Sequence, residues 1–267
     1  MTIEDIKQYW EKRPPGIKHS EFEYGSKEFF NEVEKSRYSD KFKYSYLYEI
    51  AEFKDHANES VLEIGLGLGT DILQFAKNGS QVFGIDLTQN SVDTVRKRFE
   101  MNGLKGEFKV ASFKEIPYED NTFDVVYSFG VLHHSPFMVD GIEEVRRVLK
   151  PGGKAIIMLY HKGFKYYVRK LFFEGIIKLK YLKYNSQEII NKVTEDFGDS
   201  PCTLVVSRNE VNEFFSNYSS ITSTGHRIDD YLKFGSYFFS PTYCLPSFLS
   251  KRIEDKFGWN LLIKAIK

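Results

Sequence analysis

The 267-residue sequence predicts an α/β fold, doubly wound around a mainly parallel seven-stranded sheet with helices on both faces. Three observations predict it. From Ser60 to Tyr160, short β-branched or aromatic runs alternate with stretches of helical periodicity. Glycines 65, 67 and 69 form a turn between an apolar strand and a helix. Asp86 closes the next strand about twenty residues later, where this architecture places a ligand-facing acid.

The elements follow in order. Residues 1–25 are polar and predicted irregular, with Arg13-Pro14-Pro15-Gly16 excluding a helix there. Helical faces recur at Lys27–Arg37 (Phe29, Phe30, Val33) and around Asp40–Phe53 (Leu47, Ile50, Ala51). The first strand is Ser60–Ile64, and its helix runs to about Lys77, stopped by Asn78-Gly79. The second strand is Gln81–Ile85. Thr88 is an N-cap candidate for a helix that buries Val92, Val95 and Phe99. Strands follow at Glu107–Ala111 and Phe123–Phe129, and a helix from Pro136 turns Ile142, Val145 and Val148 inward. Pro151-Gly152-Gly153 precedes the fifth strand, Lys154–Tyr160. Ser207 with Glu210 forms a capping box for a helix to Phe215, a sixth strand lies near Ser219–His226, and Trp259–Ile266 is the last. The organisation predicted is an N-terminal arm with helices (1–54), a ligand-binding core (55–161), an inserted helical lid (162–206) and the rest of the core sheet (207–267).

Lys+Arg and Asp+Glu both number 37, so the formal charge is zero. That balance argues against an electrostatic nucleic-acid binder. Two cysteines, Cys202 and Cys244, cannot build a disulfide framework and lack metal-ligand spacing, so no metal is expected. The N-terminus carries acids where a secretory signal carries bases, and no apolar stretch reaches the ~18 residues of a bilayer span. The expectation is a cytoplasmic protein without stable membrane insertion. Phe and Tyr, 24 and 17, exceed core needs and suit an organic-ligand pocket. Residues 171–181 mix rings with lysines, as interfacial helices do; Gly175 interrupts them, and a lid or a dimer contact is the expectation.

Glu63-Ile64-Gly65-Leu66-Gly67-Leu68-Gly69 resembles the first motif, E-x-G-x-G-x-G, of the class I S-adenosylmethionine (SAM)-dependent methyltransferases, in particular the type 11-like small-molecule branch. A dinucleotide turn would carry its third glycine where Thr70 stands. Ile116–Val126 resembles that family's L-P-F-x-D-N-S-F-D-V-V segment, Val131-Leu132-His133-His134 its V-L-H-H turn, and Val148–Gly153 its lead-in to the fifth strand. Gly258-Trp259-Asn260 also fits the family's approach to the last strand.

The resemblance implies SAM as cofactor and S-adenosylhomocysteine as product. It places Glu63, Gly65, Gly67 and Thr70 around the methionine portion, with Asp71 bonding in the same region. It places Asp86 on the ribose, Leu87 on the adenine, and the backbone of Ser128 and Phe129 at the amino-acid end. Ser112 and Phe113 depart from the pattern, standing where many members carry an adenine-binding Asp. His134 and His161 are the candidate bases, each with a structural hydrogen-bonding role as its alternative. His133, Tyr160, Tyr166, Tyr167 and Arg169 are candidate acceptor contacts, and Trp10 and Tyr24 a candidate flap over the cofactor. The partner implied is a small organic acceptor, its reacting atom (O, N, S or C) left open. The alternatives are an NAD(P)-dependent Rossmann oxidoreductase and a non-catalytic SAM-binding or interaction scaffold.

Overall fold

The structure, a computed structural model, describes residues 2–14, 16–39, 46–195, 198–227, 232–234, 237–239 and 246–267. The chain divides into two compact units: residues 1–129, 139–156 and 266–267, and residues 130–138 and 157–265.

In the first unit the chain begins with a helix, α1 (Ile3–Glu11), where an irregular arm was expected. A capping box makes it: Thr2 Oγ1 accepts from the Asp5 amide, and the Asp5 carboxylate accepts from the Thr2 amide at 2.7 Å. Arg13-Pro14 limits this helix rather than excluding it. α2 (Lys27–Arg37), capped by Ser26, matches its periodicity, and Phe29, Phe30 and Val33 pack with Leu68 of the glycine turn. α3 (Leu47–Ile50) is shorter than the helix expected over 40–53, of which residues 40–45 lie outside the described set. β1 (Ser60–Ile64), α4 (Thr70–Lys77), β2 (Gln81–Asp86), α5 (Gln89–Met101), β3 (Glu107–Val110) and β4 (Phe123–Phe129) follow the predicted alternation, with Thr88 capping α5. α6 (Met138–Val148) leads directly into β5 (Leu149–Tyr160). β5 begins five residues early because Gly152 and Gly153 pair with the chain end: Gly152 N donates to Lys267 O, and Lys267 N donates to Gly153 O.

The second unit carries a 3₁₀ turn at Leu132–His134, π-helical turns over Lys165–Ile177 and a 3₁₀ turn at Lys180–Leu182. α7 (Ser186–Val193), α8 (Arg208–Phe214) and β6 (Ser220–His226) come next, and the Ser207–Glu210 capping box opens α8 as its sequence predicts. A short antiparallel pair, β7 (Leu232–Phe234) and β8 (Tyr237–Phe239), and the helix α9 (Ser247–Phe257) precede β9 (Asn260–Ile266); of these four only β9 was foreseen.

The seven long strands bond in the order β3-β2-β1-β4-β5-β9-β6, with β1 parallel to β2 and β4, and β2 parallel to β3. The order reverses between β1 and β4. In such sheets a crevice opens beyond the strand C-termini at that reversal, here at Ile64 and Phe129. At the opposite ends of the strands Asp124 serves as a pin: it accepts from Ser60 N at 2.9 Å and from Lys150 Nζ at 2.7 and 2.8 Å. Two residues of the family-like segments, Asp124 and Lys150, therefore hold strands together far from the crevice.

Candidate functional site

The crevice floor is the turn between β1 and α4. Gly65, Gly67 and Gly69 have φ of 82°, 51° and 68°, a region that side chains disfavour. At Gly69 a Cβ would also lie 2.8 Å from Val95 Cγ2, so α5 packs directly on this turn. The turn thus brings main chain without side chains up to the start of α4, whose first amides carry the helix's partial positive charge. Asp86 borders the turn. Its Oδ1 accepts from Thr88 N at 2.9 Å and Thr88 Oγ1 at 2.8 Å, and its Oδ2 from Gly67 N at 3.2 Å. Burial raises its pKa, against the pull of those donors. A carboxylate has about four lone-pair positions, so Oδ2 keeps capacity for hydroxyl donors.

Glu63, on β1, is 4% exposed, and its Oε2 has no hydrogen-bond partner among the described residues. Burial, and then the negative charge of Asp71, push its pKa well above the ordinary carboxylate value. A raised acid stabilises the fold fully below its unfolded pKa, about 4.3, and that contribution is lost as pH rises through the folded value. Glu63→Gln should therefore raise the melting temperature of the ligand-free protein at pH 7 by ~2–4 °C, a shift of about 1 kcal/mol. The difference should vanish in melts below pH ~4, where both states of Glu63 hold a proton. An equal gain at both pH values would contradict a carboxyl whose pKa burial has raised.

Asp71 and Thr70 are turned toward the protein. Asp71 Oδ1 accepts from Arg37 Nε at 2.6 Å and Tyr38 OH at 2.7 Å, while Oδ2 accepts from Arg37 Nη2 and from Tyr127 OH at 2.8 Å. Burial alone would raise Asp71; the Arg37 charge and these bonds hold it below the ordinary value. Thr70 Oγ1 accepts from Arg98 Nη1 at 2.8 Å. Arg98 is 1% exposed and also donates to Leu68 O at 2.9 Å and Glu34 Oε2 at 2.9 Å, so it ties the turn to α2. The protein donors thus occupy the Asp71 oxygens that the family resemblance assigns to the ligand. Arg37 and Arg98 are functional supports that the sequence reading missed. Their signal was placement: Arg37 continues the Phe29–Val33 face of α2, and Arg98 adjoins the Val92–Val95–Phe99 face of α5.

The remaining cofactor candidates also lie in the first unit. Leu87 is half-buried beside Asp86. Ser112 Oγ accepts from Lys114 N at 3.2 Å, and Phe113 packs edge-on against Gly141, where a Cβ would meet the ring at 2.5 Å. Ser128 is 1% exposed, its Oγ donating to Ile64 O at 3.3 Å. The Phe129 ring lies 5.1 Å beneath the Arg37 guanidinium. Tyr24 shares a hydrogen bond with Thr94 Oγ1 at 2.8 Å, and Trp10 stacks edge-on with Tyr9 at 5.0 Å. α1 is moored by Glu11 Oε1, which accepts from Asn90 N at 3.1 Å at the start of α5.

The candidate bases and acceptor contacts lie in the second unit. His134 Nδ1 is 3.1 Å from Cys202 O, and its Nε2 is 3.6 Å from Glu195 Oε1. His161 Nδ1 is 2.9 Å from Gly258 O, and burial lowers its pKa. A carbonyl oxygen only accepts, so Nδ1 of each ring carries a hydrogen; in His161, whose neutral form burial favours, Nε2 holds the lone pair. His133 is fully buried, with neither ring nitrogen hydrogen-bonded among the described residues. Burial, and then His134, depress its pKa well below the ordinary value and keep it neutral. Its ring sits 4.4 Å from that of His134 and 4.0 Å from that of Tyr160. Tyr160 continues to Trp259 at 4.7 Å. Tyr166 and Tyr167 pair edge-on at 4.9 Å, and Arg169 lies in the same helical segment. Cys202 is buried and unbridged, while Cys244 lies outside the described residues.

Residues 62–157 match the family model described as a methyltransferase domain. A sterol 4-C-methyltransferase of Caenorhabditis elegans is 34% identical over 38% of this chain, and a demethylmenaquinone methyltransferase of Clavibacter sepedonicus is 28% identical over 54%. The chain spans 30% of the length of the first relative and 61% of the second. A solved SAM-dependent methyltransferase from Methanosarcina mazei superposes with a TM-score of 0.58 at 18% identity, covering 83% of this chain and 98% of its own, and so shares the fold. The matched stretch holds β1 through most of β5, including the glycine turn, Glu63 and Asp86. The chain thus carries a stretch similar to a methyltransferase domain and shares the fold of a solved SAM-dependent methyltransferase.

Proposed function

We propose that the chain transfers a methyl group from SAM to a small organic acceptor, releasing S-adenosylhomocysteine. One observation carries the reading: a positive-φ glycine turn lies between buried Glu63 and half-buried Asp86, and Glu63 Oε2 has no hydrogen-bond partner among the described residues. An ammonium group is the donor such an oxygen lacks, and vicinal hydroxyls are the donors Oδ2 of Asp86 can still accept. Glu63 then receives the amino group of the methionine portion, with Gly65, Gly67 and Thr70 supplying close main chain. Asp86 grips the ribose, Leu87 packs on the adenine, and Ser112 and Phe113 border it. Ser128 and Phe129 present backbone to the amino-acid end, where Arg37 adds a cation over the Phe129 ring.

Bound SAM supplies an already electrophilic methyl on sulfur. The protein's own task is to align the acceptor lone pair and, for an oxygen or nitrogen acceptor, to take a proton. Alignment alone can remove ~7–11 kcal/mol of barrier. Nε2 of His134 and Nε2 of His161 are the ring atoms for the proton-accepting task. Tyr160, Tyr166, Tyr167, Arg169 and His133 are the acceptor contacts, and Trp10 and Tyr24 the arm on the cofactor side. The small-molecule class draws support from relatives named for a sterol and a demethylmenaquinone.

Labelled SAM offered with a metabolite panel tests the reaction: label should move to one acceptor class, and no transfer to any member would count against it. Asp86→Asn tests the ribose contact. Losing charge-assisted bonds worth ~1.5–3 kcal/mol should weaken SAM binding by about 10- to 100-fold. Unchanged affinity would return Asp86 to a purely structural role beside Thr88.

A further inference from the structure

The second unit carries an exposed aliphatic turn in its most cationic stretch. Ile176 and Ile177 are more than half exposed, Leu179 is 63% exposed and Leu182 83%. Backbone bonds join them in one compact turn, with Leu179 N donating to Ile176 O and Leu182 N to Leu179 O, both at 3.1 Å. The turn is built, not frayed. The Tyr181 ring packs on Gly175, where a Cβ would meet it at 2.2 Å, and its hydroxyl shares a hydrogen bond with Ser186 Oγ at 3.0 Å. Glu174 steadies both ends, accepting from Lys178 and Lys180 at 2.6 Å each.

The charge around this turn is one-sided. Residues 162–187 hold seven Lys or Arg and a single acid, Glu174, in a chain whose net charge is zero. Between Gly175 and Gln187 lysines alternate with apolar residues and no acid occurs. The sequence reading expected a lid or dimer contact here; in the single chain these apolar side chains are exposed.

We propose that the turn Ile176–Leu182 docks on an anionic lipid bilayer surface, its aliphatic side chains entering the acyl boundary while the flanking lysines meet the headgroups. Aliphatic tips ringed by lysine are the composition of interfacial anchors. Protein interfaces are depleted in lysine, which argues against a second copy as occupant. Single-stranded nucleic acid is held by basic grooves with aromatic platforms, and the most exposed residues here are aliphatic. No helix among the described residues is long and apolar enough to cross a bilayer, so the attachment is peripheral. The inference stands on this surface alone and does not depend on the methyl-transfer reading.

The test is co-sedimentation with vesicles of phosphatidylcholine, alone or with about one third phosphatidylglycerol. The wild-type protein should bind the anionic vesicles at least tenfold more tightly, and added salt should weaken that binding. Leu179→Ser/Leu182→Ser should lower it about tenfold or more at unchanged melting temperature. If that pair melts lower, Leu182→Ser alone, at the most exposed position, carries the comparison. Lys180→Glu/Lys183→Glu should abolish the preference for anionic over neutral vesicles. Wild-type protein remaining in the supernatant with both vesicle types would overturn the proposal, as would leucine variants that bind like the wild type. So would light scattering showing that the leucine substitutions split a wild-type dimer without lipid, which would assign the turn to a second copy.

Discussion

Arg37→Ala should destabilise the first unit by about 3–5 kcal/mol, because it strands the Asp71 carboxylate in the interior. Asp71 is 3% exposed on its side chain and Arg37 only 26%, so water cannot replace the guanidinium at both oxygens. The two tyrosine donors, Tyr38 and Tyr127, remain, but neither carries charge. Urea unfolding should show the loss as a lower midpoint at an unchanged slope. The acid side of the stability profile gives a second readout. Asp71 is held below its ordinary pKa, so its contribution is present above the unfolded value of about 3.9 and is lost as pH falls through the folded one. The wild-type protein should shed that contribution in acid, and Arg37→Ala should already lack it. Replacing both partners with apolar residues, Arg37→Met with Asp71→Leu, should recover much of the loss, since the stranded charge is then absent. A loss below 1 kcal/mol in Arg37→Ala would mean that the pair is solvated and does not hold α2 to α4.

His134→Ala should lower turnover with an oxygen or nitrogen acceptor by ~10²–10⁴, the range of a positioned general base. SAM affinity should stay nearly unchanged, because His134 is not among the residues assigned to the cofactor. The side chain is fixed through Nδ1 to Cys202 O, and Nε2, 3.6 Å from Glu195 Oε1, is the atom the reading assigns to the proton. The structural alternative predicts the reverse pattern: a lower melting temperature from the lost Cys202 bond, with turnover per folded molecule preserved. His161→Ala provides the comparison. Its ring is held in the same manner by Gly258 O, and burial favours its neutral form. If the His161 variant loses turnover and the His134 variant does not, the base is His161. A sulfur acceptor, already nucleophilic, would show little loss with either.

What the sequence made legible was what repeats locally. Strand-helix alternation placed β1 to β4 to within a residue, because each element's apolar period and capping residue lie within its own span. Ser207 with Glu210 and Thr88 named two helix starts correctly for the same reason. The α1 capping box was equally local, yet Asp5 in place of the usual Glu concealed it. β5 began earlier than predicted since its first residues pair with Lys267, more than a hundred positions away. The candidate site divides similarly. Glu63 and the glycines stand on a contiguous motif, and Asp86 ends the next strand. The donors that settle Asp71 and Thr70 come from α2 and α5, and nothing in the motif announces Arg37 or Arg98 as their partners. A buried cation's target depends on how helices pack, which periodicity does not encode.

The central claim is that the crevice between β1 and β4 binds an adenosine-bearing sulfonium cofactor. Isothermal calorimetry of the purified protein with SAM, S-adenosylhomocysteine and NAD in parallel tests it most directly. The account predicts one site per chain for SAM and for S-adenosylhomocysteine, weakened about 10- to 100-fold by Asp86→Asn, and no heat with NAD. Binding of NAD, or silence with both SAM and its demethylated product, would contradict it.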